Sequence, residues 1–439
     1  MTRTFATAVT AILLSLAAIC MHAQSVQEKL ATDVNCAAGL HYLRPTTAND
    51  DTPAPDGKQP FYINHYGCPA AYYMEKAEAY DAPFLTLTKA DSAGALTPLG
   101  RDVLHRVGLI RSDAHNRSGE LTSKGVSQAR ELMTRLVERF PAVFTAKGYY
   151  SGRSVVENHC IQTMEEQMVQ LSHLRQPLLS NITSSYQERG FMNPTDKVLD
   201  GERNNMTATV LYAEFFKRNT DDTQLMSALF SDTAYVSACV DASMLSLQLF
   251  TLAGSVQMTG NATLPPLFDI FTKDEIYRHW RKQNAWNYVT YGSYKPNGGN
   301  QPYMQRATLR NMMHMGDSVL KRYNPMIHIR ICPQSVIMGL ACLMELDSCG
   351  LETADLATLE ERGWADYSIA PLGGSIEMIH YRRNRQDTDV LVKVLLNGHE
   401  AQLPIATDCA PYYHWNDVKR YYLRRLYKYE NTRFTKKIK

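Results

Sequence analysis

The 439-residue chain lacks the short motifs that mark most metal, redox and nucleotide sites. Its nine cysteines include no Cys-x-x-Cys pair, and its thirteen histidines show neither His-x-His nor His-Glu-x-x-His spacing. The chain also has no P-loop, no dinucleotide fingerprint and no Gly-x-Ser-x-Gly nucleophile elbow. We therefore predict no metal site, no thioredoxin-type site and no cofactor.

Strong net charge is also missing, because 46 Lys and Arg residues against 44 Asp and Glu leave a formal charge of only +2. A dedicated nucleic-acid-binding protein would be strongly basic, so we predict no nucleic-acid partner. The 44% hydrophobic and 10% aromatic content excludes a disordered chain. Only one long apolar run is present, which excludes a polytopic membrane protein. The length predicts two lobes, or one α/β core with a large insertion.

The single apolar run lies at the start of the chain. Arg3 precedes an apolar stretch from Ala8 to Met21, and Ala23 gives a small residue at a cleavage point. We predict a signal peptide over residues 1–23, cleaved after Ala23, with export to the periplasm or the cell exterior. No membrane span would remain after cleavage. A lipid anchor at Cys20 is the alternative, although Ile19 is too bulky for a good lipobox.

An exported chain could form disulfides, and eight cysteines follow the predicted cleavage point. Cys342 and Cys349 are the favoured pair if any bridge forms. We expect most of the others to be buried as small apolar side chains.

Hydrophobic periodicity predicts alternating strands and helices in two separated parts of the chain. Two Leu-Thr-x-x-Gly segments precede helical patterns, and Thr122 is the predicted N-cap of the second helix. Residues 175–320 are predicted to be mostly helical, without strand alternation. The predicted strands cover residues 61–66, 148–153, 326–331, 376–381 and 390–396, with helices over 155–171 and 336–346 and an Asn397-Gly398 hairpin turn into 401–405.

Residues 419–439 hold nine Lys or Arg residues, a single acid and four interleaved tyrosines. Such a segment could contact nucleic acid or anionic lipid. We interpret it instead as a solvated amphipathic helix with a basic tail, because charge runs are usually solvated faces.

This order of elements resembles that of the histidine acid phosphatases, and most closely the secreted bacterial multiple inositol polyphosphate phosphatases. The resemblance implies a three-layer α/β sandwich core over residues 24–174 and 321–439, with a large α-helical cap insertion over 175–320. The local matches that carry it include residues 61–67, 96–100, 119–122, 139–144, 152–156, 291–292, 391–397, 403–405 and 411–415.

In that family, an Arg-His-Gly-x-Arg segment after the first strand supplies the nucleophilic histidine and two arginines that cage the phosphate. Here the corresponding residues 68–72 read Cys-Pro-Ala-Ala-Tyr. Cys68 stands at the first arginine, Pro69 at the nucleophile and Ala70 at the glycine. Tyr72 stands at the second arginine. The resemblance therefore implies a nucleophile loop that has lost its chemistry.

The proton-donating His-Asp pair that the family carries after a late strand is replaced here by Pro333 and Gln334. The third cage arginine, Arg153, remains, and either anion binding or a structural ion pair explains it. His65 lies inside the first strand and is expected to be a structural histidine. A replacement nucleophile is the alternative, and with Arg153 it is a candidate anion-binding residue. Neither Cys68 nor Cys332 has the arginine six residues on that a cysteine phosphatase loop requires.

We therefore interpret the chain as a catalytically inactive, phosphatase-like binding protein. A phosphorylated or other small-molecule ligand would occupy what remains of the cleft, and no protein partner is identified. One alternative is a phosphomonoesterase that acts on inositol polyphosphates through a remodelled site. A second alternative is a structural or interaction protein that uses only its surface.

Overall fold

The computed structural model describes residues 25–45, 51–176 and 179–437. The predicted signal peptide and Cys20 lie outside these residues. The strands are β1 (Gln59–Gly67), β2 (Tyr149–Ser154), β3 (Leu179–Ser184), β4 (Ser293–Tyr294), β5 (Met326–Ile331), β6 (Glu352–Thr353), β7 (Ser375–Arg382), β8 (Leu391–Leu396), β9 (His399–Glu400) and β10 (Tyr413–His414).

Sixteen α-helices lie among the described residues, together with short 3₁₀ segments, of which Val34–His41 is the longest. The helices are α1 (Val26–Thr32), α2 (Glu78–Ser92), α3 (Pro98–Asp113), α4 (Ser123–Arg139), α5 (Asn158–Leu174), α6 (Arg189–Met192), α7 (Lys197–Arg203), α8 (Met206–Arg218), α9 (Thr223–Leu229), α10 (Thr233–Cys239), α11 (Ala242–Thr259), α12 (Lys273–Tyr291), α13 (Arg306–Val319), α14 (Gln334–Met344), α15 (Asp366–Ile369) and α16 (Trp415–Lys437).

The main sheet has eight strands in the order β10-β8-β7-β1-β5-β2-β3, with β9 paired to β8. Strands β1, β5, β2 and β3 are parallel, whereas β7, β8 and β10 add on in antiparallel pairs. The chain is therefore a mixed α/β protein, as predicted. The parallel strands end at the same edge of the sheet, where ligands of such folds bind.

Helices cover both faces of this sheet. On one face, the side chains of Met164 and Met168 in α5 lie directly over Gly152 of β2. On the other, Asn64 of β1 donates to the backbone oxygen of Met312 in α13 at 3.3 Å. The layering is helix, sheet, helix, which confirms the predicted three-layer core.

Most predicted elements are present, with several differences. Helix α5 covers Asn158–Leu174 and not 155–171. Strand β3 lies within the segment predicted to be helical, and it extends the main sheet from its β2 edge. Its sequence, Leu-Ser-Asn-Ile-Thr-Ser, is polar and does not alternate cleanly, because an edge strand need not bury both faces. The strand after the Asn397-Gly398 turn is residues 399–400 and not 401–405. Helix α14 begins at Gln334, two residues earlier than predicted.

No single helix among the described residues is long and apolar enough to cross a membrane, and one pair bent by 92°, α10 with α11, passes that test only when taken together. Ten of the eighteen residues of α11 are buried in the protein.

The basic helix α16 packs one face against the core. Val418, Tyr422 and Leu426 are buried, whereas Tyr427 is exposed. The guanidinium of Arg425 lies 2.8 Å from a carboxylate oxygen of Glu345. The amphipathic arrangement matches the prediction.

The eight cysteines of the described residues are all unpaired, so the favoured Cys342–Cys349 bridge is absent. Both side chains lie in the apolar core, where burial raises the pKa of Cys342 to about 12. Six of the eight are buried, as predicted for small apolar side chains.

Candidate functional site

The carboxyl ends of β1 and β5 bring the two eroded motifs together. The backbone N–H of Cys332 donates to the carbonyl oxygen of Gly67 at 2.9 Å, so the loops that follow the two strands lie side by side. Their position is the sheet edge at which an active site of this architecture would lie.

The loop after β1, residues 68–72, is covered by the chain itself. The Cys68 N–H donates to the Gly374 oxygen at 2.9 Å, and the Gly373 N–H donates to the Pro69 oxygen at 2.7 Å. The Cys68 thiol donates to the Pro371 oxygen at 2.9 Å, and burial raises its pKa to about 12. Residues 68–71 are all buried, so the position that the resemblance compares with the nucleophile is largely shielded from solvent.

Helices α4 and α5 hold the backbone of this loop. The Ala70 N–H donates to Oγ1 of Thr163, and the Ala71 N–H donates to Oε1 of Gln128, both at 3.1 Å. Gly125 lies so close that a β-carbon added there would stand 1.9 Å from the Ala71 oxygen. The loop is therefore fixed through its backbone, whatever side chains it carries. The hydrogen-bond partners are Gly373, Gly374, Thr163 and Gln128.

Tyr72, at the position of the second cage arginine, stacks on His159 with ring centroids 4.2 Å apart and planes 13° apart. His159 lies in the first turn of α5 and is 4% exposed. The phenol therefore packs against the imidazole where the family's motif would place a guanidinium.

The loop after β5 is closed in a similar way. Pro333 is the N-cap residue of α14, and Gln334 is buried at its first position. The amide nitrogen of Gln334 donates to the Leu40 oxygen at 2.6 Å and to the Ala370 oxygen at 2.7 Å. A side chain at the position of the proton donor therefore joins the Val34–His41 segment to α15.

Arg153, at the carboxyl end of β2, forms an ion pair. Its Nη1 donates to both carboxylate oxygens of Glu188 at 2.9 Å. It also lines a cavity of about 540 Å³ together with Lys147, Arg322 and His328. Burial and the nearby arginines lower the pKa of His328 to about 3, so this imidazole is neutral. No residue of the loops after β1 or β5 lines this cavity.

His65 lies on β1 beside Glu377 of β7, with Nδ1 and Oε1 3.3 Å apart. Despite burial, the contacts with His65 and Arg44 hold the pKa of the Glu377 carboxyl below its usual range. The cavity next to His65 measures about 40 Å³, which is room for roughly three water molecules. This cavity is therefore too small for a phosphate ester.

Sequence reasoning missed a cleft of about 350 Å³ between the Val34–His41 segment and helices α8, α11 and α12. Its wall carries Tyr212, Phe216 and Trp286, and the Tyr212 and Trp286 rings are 5.0 Å apart. The indole of Trp286 is 43% exposed. The sequence signal for this cleft was the aromatic pair Tyr212 and Phe216, which lie four residues apart and therefore on one face of a helix.

Lys282 is the one cation that lines this cleft among the described residues. Its ammonium lies 4.8 Å from the Phe216 ring centroid and donates to Thr220. Burial lowers the pKa of His41, also in the wall, to about 4. The cleft is therefore mainly aromatic and nearly neutral, with amide groups from Gln283 and Asn287.

No protein-family model matches the chain, and no curated protein matches it by sequence. Solved structures do match. The multiple inositol polyphosphate phosphatase of Bifidobacterium longum, in complex with inositol hexasulfate, has a TM-score of 0.71 at 14% identity, covering 88% of this chain and 96% of that one.

The phytase from D. castellii matches with a TM-score of 0.65 at 13% identity, over 90% of this chain and 85% of that one. The Hafnia alvei phytase in its apo form gives 0.51 at 12% identity, over 85% and 98%. The fold is therefore that of the histidine acid phosphatases.

Proposed function

We propose that this chain, built on the histidine acid phosphatase fold, is an exported binding protein without phosphatase activity. The observation that carries the proposal is the closure of the loop after β1. Pro69 stands where the nucleophile belongs, it is buried, and the segment at Gly373 is hydrogen-bonded over it. Loss of a catalytic nucleophile costs many orders of magnitude in rate.

Electrostatics supports the same conclusion. A phosphoryl group at this edge needs several cations to hold its oxygens and to stabilise the transition state. Cys68, Tyr72 and Gln334 are neutral where the family's motifs carry charge, and Arg153 is engaged by Glu188. To bind Arg153, a phosphate group would first have to displace the carboxylate of Glu188.

The ligand site that we propose is the cleft at Trp286. It adjoins the former proton-donor position, because Leu40 both lines the cleft and accepts the hydrogen bond from Gln334. An exposed aromatic platform with amide groups and a single screened cation suits a neutral ligand with flat apolar faces and hydroxyl groups. We assign it to a sugar ring and not to a polyphosphate.

Hydrolysis assays test the loss of activity. We expect no turnover of phytate or of a generic phosphomonoester by the purified mature chain, with an active phytase as the positive control. Turnover that Arg153→Ala or His65→Ala abolishes would show that a remodelled site works and would overturn the inactive assignment.

Calorimetric titration with neutral oligosaccharides tests the cleft. Trp286→Ala should abolish any binding, whereas Tyr427→Ala removes a more exposed aromatic ring elsewhere and should leave it unchanged. Binding of phytate that is lost in Arg322→Ala, with no effect of Trp286→Ala, would instead place the ligand in the cavity beside Arg153. Export is tested by the N-terminal residue of the protein recovered outside the cytoplasm, which should be Gln24.

A further inference from the structure

Beside the closed loop, three side chains able to bind a metal ion lie together, and a fourth, Glu75, reaches one of them. Glu157, His159 and Cys160 lie at the start of α5, and their ligand atoms are all within 4.8 Å of one another. His159 Nε2 is 3.4 Å from Glu157 Oε2, which lies 3.9 Å from the Cys160 sulfur. A carboxylate oxygen of Glu75, from the segment after β1, is 3.9 Å from the same imidazole nitrogen.

These separations suit a tetrahedral ion. Ligand atoms bound to zinc at 2.0–2.3 Å in a tetrahedron stand roughly 3.3–3.6 Å apart. The Glu157 oxygen lies 3.4 Å from His159 Nε2 and 3.9 Å from the Cys160 sulfur, so these three ligands need only a small contraction. Glu75, 3.9 Å from His159 Nε2, would have to move towards Glu157 and Cys160 to become the fourth ligand. A thiolate, an imidazole and two carboxylates favour zinc over magnesium or calcium, which take oxygen ligands.

The charge around the cluster is also unbalanced. In the part of the chain that the structure describes, neither Glu75 nor Glu157 forms an ion pair with a lysine or arginine. A bound dication would neutralise the two carboxylates and take up the Cys160 sulfur as a thiolate.

The ligands are already oriented by their neighbours. The His159 ring is stacked on Tyr72, and the second oxygen of Glu157 accepts from Asn193 at 3.4 Å. Contacts of this kind hold first-shell ligands in place in metalloproteins. His159 and Cys160 are buried, whereas Glu75 is 60% exposed and can close over an ion that enters from solvent.

We propose that Glu75, Glu157, His159 and Cys160 bind one zinc ion, which fastens the segment after β1 to the start of α5. The sequence predicted no metal, because three of these residues form no known spacing and Glu75 is 82 positions before Glu157. The ion would add a cross-link beside the covered loop, independent of any ligand in the cleft at Trp286.

A second cluster, Asp408, Cys409 and His414, provides an internal control. Both nitrogens of His414 are engaged there, with Asp389 at 2.7 Å and with Asp408 at 3.0 Å. A metal at that position would have to break these contacts, and Asp408 is 83% exposed.

The test is metal binding by the full mature chain after removal of metal with a chelator. We expect one zinc per chain by calorimetry, and with cobalt an absorption band from thiolate-to-metal charge transfer. Cys160→Ser should abolish that band, and Glu75→Gln should weaken zinc affinity at least tenfold, since metal-site substitutions commonly cost 10- to 100-fold. Cys409→Ser should change neither.

Circular dichroism of each variant separates loss of a ligand from loss of the fold, and the exposed Glu75→Gln should fold normally. The proposal is overturned if the folded wild-type chain binds no zinc. It is also overturned if zinc binding is unchanged in both Cys160→Ser and Glu75→Gln, or if Cys409→Ser is the variant that removes it.

Discussion

The carboxylate of Asp366 lies directly against the α-carbon of Gly39. A β-carbon added at position 39 would stand 2.8 Å from Oδ2 of Asp366. Gly39 has φ +57° and interrupts the Val34–His41 segment, whose Leu40 oxygen accepts from Gln334. The contact between Gly39 and Asp366 therefore helps to position the Val34–His41 segment, which covers Gln334.

Replacing Gly39 should destabilise the protein more than replacing a glycine with a similar positive φ in open space. Gly39→Ala adds a steric clash with a buried carboxylate to the cost of positive φ, about 1–3 kcal/mol for strained backbone. Gly94, with φ +67° and nothing within 4 Å of an added β-carbon, is the matched control and carries only the backbone term. Equal losses of stability in denaturant unfolding would contradict the contact.

The buried Asp366 carboxyl should make stability depend on pH. Burial raises its pKa to about 6, against the lowering effect of hydrogen bonds from Asn287 and Trp280. The folded state therefore holds a proton that the unfolded state releases near pH 4. The free energy of unfolding should fall by about 2–3 kcal/mol as pH rises from 4 to 6 and stay level above that.

Asp366→Asn isolates this contribution. Its cost in stability should be larger at pH 4 than at pH 7, by about 2–3 kcal/mol, because only the wild type loses stability over that range. Unfolding curves at both pH values measure the difference. A cost that is the same at both would mean that folding does not raise the pKa of Asp366.

Gln334→Ala should lower stability through the two backbone oxygens that it leaves without a donor. An unsatisfied buried polar group costs about 1–3 kcal/mol, and both Leu40 and Ala370 lose their partner here. Gln224→Ala, at an exposed helix position, should change stability by less than about 0.5 kcal/mol. Comparable melting temperatures for the two variants would show that Gln334 does not hold the closure.

Thiol labelling of the native protein should distinguish Cys239 from the other cysteines of the described residues. Cys239 is exposed, whereas Cys68 and Cys332 are buried with thiol pKa values raised by burial. An alkylating reagent at pH 8 should modify Cys239 within minutes and the buried thiols only after unfolding. Peptide mapping by mass spectrometry gives the order, and rapid modification of Cys68 would show that the loop after β1 opens.

Local sequence signals predicted the elements that form the sheet edge. Residues 61–66 and 326–331 alternate or run apolar over a strand length, and the Thr122 side chain accepts from the Gly125 N–H as an N-cap should. The losses at Pro69 and Pro333 were visible because they fall directly after those strands. A motif that directly follows a strand can therefore be located from the sequence without knowledge of distant contacts.

The sequence could not predict that other segments cover the loops after β1 and β5. Gly373 and Leu40 reach the eroded loops through hydrogen bonds to residues about 300 positions away, and no local pattern encodes such a pairing. Arg153 left two interpretations open, and both stay predictions: the fold brings β2 to the carboxylate of Glu188, a contact that no local pattern in the sequence encodes. The edge strand β3 was missed because its polar sequence buries little apolar surface.

Thr163 and Gln128 bind the backbone of the loop after β1, so the shape of that loop does not depend on its own side chains. Neighbouring helices dictate the path of the backbone, so substitutions at positions 68–72 need not propagate through the sheet. A loop held in this way could change its own residues while the architecture around it stayed the same. Because the backbone of the loop is held from outside, the chain is suited to protein engineering. A new anion-binding loop could replace residues 68–72 if the covering segment near Gly373 were shortened.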